Sequence, residues 1–187
     1  MLKFVAPADA DGTNMVLYYN GKPIKRMVEK ATFNTAITEG LLYVGDINGY
    51  GLQDFKIAYP NNSSGLAGSL ISKIYLFNLG HNQFQKISFM DFAWDSERDF
   101  NGDKNCEIFG QSYASYKNHG YWVIDLYSYK NGQLVNVGKR YNYPILIQFL
   151  YSKENFKITD KVPRKQMAEF RKALPREYHA DPLPSIK

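Results

Sequence analysis

Two nine-residue stretches decide how this chain reads: Asp46-Ile47-Asn48-Gly49-Tyr50-Gly51-Leu52-Gln53-Asp54 and Asp99-Phe100-Asn101-Gly102-Asp103-Lys104-Asn105-Cys106-Glu107. Written in register, both carry side-chain oxygens at positions 1, 3 and 9 and glycine at position 4. The second adds Asp103 at position 5. It begins 53 residues after the first, a spacing that predicts an internal repeat of one supersecondary unit. The first loop runs straight into Phe55-Lys56-Ile57-Ala58-Tyr59. There Phe55, Ile57 and Tyr59 alternate with Lys56 and Ala58, the pattern of a half-buried strand. The repeated unit is therefore expected to be an acidic loop that opens a strand, not a helix.

Such a loop has a chemical use. Calcium takes six to eight oxygen ligands in a compact shell. Alternate residues of a tight loop converge, so positions 1, 3 and 5 can face one ion. Position 7 can add its backbone carbonyl, and a carboxylate at position 9 can close the shell. The expected ligands are Asp99, Asn101, Asp103, Asn105 (carbonyl) and Glu107, and in the first loop Asp46, Asn48, Leu52 (carbonyl) and Asp54. In the first loop Tyr50 stands where the second has an acid. The plainer reading is a pair of hairpin turns, which Asn-Gly alone supports. That reading does not predict acids at both ends of the loop, nor the same layout twice.

The rest of the chain reads as β structure. Asn20-Gly21 separates Met15–Tyr19 from Lys22–Met27, and Asn131-Gly132 separates Tyr121–Tyr129 from Gln133–Val137; both pairs read as hairpins. Further strands are expected at Leu41–Val44, Phe55–Tyr59, Ile71–Phe77, Gln83–Ser88, Glu107–Ser112 and Ile145–Tyr151. Pro60–Gly68 has the composition of a loop. One helix is expected late, with Asp160 as its cap, Pro163 in its first turn, Met167, Phe170 and Leu174 on one face, and Pro175 as its stop. The expected class is mostly β: a small β-propeller-like or antiparallel β-sheet domain over residues 1–158, with a C-terminal helix and basic tail over 159–187 packed on it.

Composition limits the function. Fifteen Tyr and twelve Phe against two Trp suit pleated surfaces. The net charge of +5 is segregated, with bases gathered in Lys161–Arg176 and acids in Asp91–Glu107, and no nucleic-acid-binding motif accompanies it. No nucleic-acid partner and no membrane span are expected, since no stretch approaches the ~18 apolar residues that a spanning helix needs. The single cysteine, Cys106, allows neither an intrachain disulfide nor a cysteine-based zinc site. The histidines, His81, His119 and His179, lie far apart in sequence, and no metalloprotease, serine-hydrolase or phosphate-loop motif is present. A non-catalytic protein is expected.

The segments Gly45–Phe55 and Asp99–Asp103 resemble the FG-GAP/VCBS repeat of integrin-type β-propellers. That resemblance implies calcium held between two strands of a blade. More narrowly, Gly45–Val137, with Ile74-Tyr75-Leu76-Phe77-Asn78 and the hairpin ending Asn131-Gly132-Gln133-Leu134-Val135, is similar to small bacterial propeller-like lysozyme-inhibitor and immunity proteins. This implies a protein partner, a secreted hydrolase or toxin, blocked without catalysis. The residues expected to meet it are Tyr113, Tyr116, Lys117, His119 and Tyr121, because aromatic side chains with polar tips anchor interfaces; the plain alternative is that alternate tyrosines here are half-buried strand residues. The rival readings are an adhesion or carbohydrate-binding module and, last, a metal-dependent hydrolase. The expected location is periplasmic or extracellular if an export signal was removed, and cytoplasmic otherwise.

Overall fold

A computed structural model describes residues 2–5, 13–29, 42–60, 65, 69–93, 97–149, 157–158 and 162–183. Fourteen strands form three antiparallel sheets among these residues. The first sheet is β1 (Leu2–Val5), β2 (Thr13–Tyr19) and β3 (Lys22–Glu29). The second has the order β14-β7-β6-β5-β4, from Arg176–Pro182, Gln83–Asp91, Ile71–Gly80, Asp54–Pro60 and Leu42–Gly45. The third has the order β13-β12-β10-β9-β8, from Lys157–Ile158, Ile145–Phe149, His119–Lys130, Glu107–Tyr116 and Glu97–Arg98; β11 (Gln133–Asn136) also pairs with β10. The sheets are open. No closed barrel or propeller exists among the described residues.

The second sheet is the middle layer. Its central strands are buried on both faces, so successive residues feed two cores. On β6, Ile74 and Leu76 join Met15, Leu17 and Met27 of the first sheet, while Tyr75 and Phe77 join Ile108, Tyr127 and Tyr129 of the third. The half-buried pattern expected for Phe55–Tyr59 is corrected accordingly: Lys56, Ile57, Ala58 and Tyr59 are all buried. Lysine at position 56 mimics an exposed face, but its ammonium is neutralised inside the protein.

That neutralisation joins two sheets. Lys56 Nζ donates to Glu97 Oε2 at 2.9 Å, and Tyr75 Oη donates to Glu97 Oε1. Lys73 Nζ lies 3.3 Å from Asp91 Oδ2, and Asp91 Oδ1 accepts the Gln111 N–H of β9 at 2.7 Å. Burial works against ionisation of Glu97, but Tyr75 and Lys56 outweigh it and hold the carboxyl below its usual range. Its contribution to stability is present above the ordinary carboxylate pKa and is lost as pH falls through the lowered folded value. Burial pushes Asp91 up and Lys73 down.

The late helix is shorter than expected. It spans Arg164–Met167 and tightens to a 3-10 turn over Ala168–Phe170, with Pro163 as its N-cap; Asp160 lies outside the described residues. Met167 and Phe170 do pack on Tyr121, Val123 and Leu146, but Leu174 is exposed. The helix stops because the third sheet captures the backbone of Lys172. Its N–H donates to Asp125 Oδ2, and its carbonyl accepts from Tyr127 Oη and Asn136 Nδ2. The tail then pairs with β7 as β14.

Removing Glu97 leaves a lysine that is 2% exposed without its carboxylate. Glu97→Ala is expected to lower unfolding free energy by about 3 kcal/mol in urea titration. Adding Lys56→Met is expected to recover most of that loss.

Candidate functional site

The two acidic loops sit between β4 and β5 and between β8 and β9. Each is followed by the same run of strands, β5-β6-β7 and β9-β10-β11, so the sequence repeat is a repeat of a four-stranded meander. The loops share one internal wiring. Asp46 Oδ2 accepts the Gly51 N–H at 2.9 Å, and Asp99 Oδ2 accepts the Lys104 N–H at 2.9 Å. Asn48 Oδ1 accepts from Tyr50 N–H, as Asn101 Oδ1 does from Asp103 N–H. Asp54 Oδ2 accepts from Ile47 N–H, as Glu107 Oε2 does from Phe100 N–H. Positions 4 and 6 turn left-handed in both: Gly49 and Gly51, then Gly102 and Lys104 at φ of 76°, 74°, 75° and 70°. Oxygen at positions 1, 3 and 9 thus satisfies donors at positions 6, 5 and 2.

The loops also touch. Cys106 N–H donates to the Ile47 carbonyl at 2.8 Å. A Cβ on Gly49 would lie 2.9–3.0 Å from the backbone of Lys104 and Asn105. Only glycine allows this approach at this φ. Burial first, then Asp99, Glu97, Glu107 and Asp46, push the Cys106 thiol up.

The loops differ as ion sites. Asp54 is fully buried, and four protein donors fill its oxygens: Ile47 N–H, Asn48 N–H, Asn78 N–H and, at 3.5 Å, Asn48 Nδ2. Burial raises its pKa despite those N–H groups. Leu52 turns its side chain toward Gly80, and Tyr50 packs against Tyr129. Asp54 thus staples the loop to β6, and its own oxygens are taken up by protein donors. In the second loop Asp99 and Asp103 lie at the surface, and the Lys104 N–H, ahead of burial, holds Asp99 below the usual carboxylate range. Glu107 is buried, with Oε1 accepting from Tyr141 Oη at 2.7 Å. Asn105 donates to Ser128 Oγ and the Tyr129 carbonyl, yet its own buried Oδ1 has no donor. The second loop thus gathers oxygens and one orphaned acceptor, but no group of three or more His, Cys, Asp or Glu that could hold a metal ion is assembled among the described residues.

Comparison with protein-family models, with curated proteins and with solved structures finds no match.

The β9–β10 hairpin divides the expected partner residues. Tyr121 is 3% exposed and belongs to the core with Val123 and Leu146. Tyr116 is half-buried against Tyr121 and Phe170. Lys117 and His119 are exposed, and Tyr113 stands 36% exposed. Lys117 and Asn118 form the turn with φ of 47° and 62°, so the tip is a two-residue turn without glycine. His119 Nδ1 lies 3.2 Å from Gln148 Nε2, and Lys117 Nζ sits over the Tyr116 ring.

Sequence reading missed the outer edge of β9 beside this hairpin. Among the described residues, its β8 partner covers only Glu107 and Ile108. The one available signal was the length of the Tyr-rich run after Ser112.

Two glycines separate loop strain from loop docking. Gly51→Ala is expected to cost about 1 kcal/mol, for its positive φ alone. Gly49→Ala is expected to cost about 2 kcal/mol or more, because it also collides with Lys104. Urea unfolding of both variants measures the difference.

Proposed function

We propose that this protein is a non-catalytic binding protein that holds and blocks a secreted hydrolase or toxin through the tip of its β9–β10 hairpin. The supporting observation is the arrangement of that tip. Lys117 in the two-residue turn and His119 just after it are exposed, while Tyr121 behind them is buried and Tyr116 packs against that core. A preordered tip loses little entropy on binding. Lys117, with His119 beside it, offers donors to a cleft lined by carboxylates.

Calcium belongs to this proposal at the second loop only. Asp99, Asn101, Asp103 and Glu107 would hold it with the Asn105 oxygens, and it would brace the base of β9. Its role is structural, because these carboxylates already position the loop backbone.

Calorimetric titration of calcium chloride into chelator-treated protein is expected to show one site, abolished by Asp99→Ala or Asp103→Ala and kept by Asp46→Ala. Turnover of a lysozyme-type hydrolase is expected to fall on adding the protein, with Lys117→Ala plus His119→Ala relieving the block at least tenfold. A block of equal strength by that double variant would sink the hairpin-tip reading.

A further inference from the structure

We infer that β9 binds an extended segment of a protein partner by strand addition along its outer edge, with one basic side chain of that segment entering the adjoining cavity. This rests on the partner-binding reading and specifies how the partner is gripped.

The edge is set by hydrogen-bond parity. Gln111 N–H donates sideways to Asp91 Oδ1 and not to β10. In an antiparallel ladder backbone groups alternate in direction, so Tyr113 and Ser115 point the same way as Gln111. Among the described residues no strand pairs with β9 on that side beyond Ile108. Neither proline nor lysine interrupts Phe109–Tyr116, and β9 has no bulge against β10, so these guards of an edge are lacking from the strand itself. An added strand supplies what such an edge needs: backbone donors and acceptors.

The cavity beside the edge supplies selectivity. It measures about 460 Å³ and is lined by Gln111, Ser112 and Tyr113 of β9 itself. Met90, Phe92, Tyr127 and Leu174 form apolar walls, and Asp91 and Asp125 lie in its lining. The Tyr127 ring is laid across Gly110, where a Cβ would meet it at 2.5 Å, so a strand glycine sets the wall in place. Both carboxylates are nearly fully buried, and burial pushes both upward. Asp125 accepts hydrogen bonds from neutral donors, the N–H groups of Leu126 and Lys172 and the Asn136 amide; the Arg171 charge lies near it, but Arg171 donates to the Tyr143 carbonyl. An arginine or lysine offers an apolar stem for the walls and a charge for Asp125, Asp91 being already paired with Lys73. Lys172 and Arg176 also line the cavity, so only a side chain that reaches past them to Asp125 gains.

The probe is a random twelve-residue peptide display library panned on the intact protein. Enriched peptides are expected to share one basic position. Methylating the backbone nitrogens on one side of the selected peptide should weaken binding at least tenfold, and norleucine at the basic position should do the same. Ser115→Pro removes one outward N–H at an edge position where proline is tolerated, and should weaken binding at least tenfold without changing the far-ultraviolet dichroism. Should Ser115→Pro unfold the chain, the methylated peptides alone decide. No enrichment, or binding indifferent to methylation and to the basic residue, overturns the inference. Peptides lost on Lys117→Ala plus His119→Ala but indifferent to methylation overturn strand addition and leave the hairpin-tip reading standing. Peptides that need the edge but not the tip do the reverse.

Discussion

The structure depends on the need to neutralise polar groups buried between its middle and third sheets. Lys56, Lys73, Tyr75, Asp91 and Glu97 lie where two apolar faces meet. Each buried charge is costly without a partner, and each partner here comes from another strand. Glu97 crosses from the third sheet to β5 and β6, and Asp91 crosses from β7 to the edge of β9. These bonds fix the third sheet against the middle one, and so fix where the hairpin projects.

The acidic loops follow the same rule. Their carboxylates are used first on the loop backbone, which has no ladder partners of its own. Asp54 shows the limit of this use, its oxygens taken up by protein donors. Asp99 and Asp103, at the surface, bind the same kind of N–H groups and remain open to solvent. The two copies therefore differ at position 9, where Asp54 accepts from four protein donors and Glu107 from two.

Much of the β architecture was legible in the sequence. Asn20-Gly21 and Asn131-Gly132 turn the chain where positive φ is needed, and the two loops open strands at Asp54 and Glu107 as expected. The turns at His81-Asn82 and Lys117-Asn118 were not legible, because neither has the glycine that marks such turns. Lys56 and Lys73 hid the middle layer, since a lysine reads as solvent-facing until its carboxylate is found far along the chain. The tail strand was not legible because Glu177, Ala180 and Asp181 are poor strand formers, and pairing with β7 sets it in place. At the site, the repeat of the two loops was legible in their spacing, but the use of their oxygens on backbone N–H groups was not, and Tyr121 did not reveal its burial. A tyrosine in an alternating strand can face either way until the packing partner is known.

The central claim is that the first acidic loop is a hydrogen-bonded staple, held by Asp54 and docked on the second loop, that forms independently of any ion. Amide hydrogen exchange followed by nuclear magnetic resonance, in the presence of a calcium chelator, tests it most directly. The N–H groups of Ile47, Asn78 and Cys106 donate to Asp54, Asp54 and the Ile47 carbonyl. They should exchange as slowly as those of Tyr75 and Leu76 in the centre of β6, opening only with global unfolding. Exchange of these three at the rate of exposed loop amides, with slow exchange restored by calcium, would contradict it.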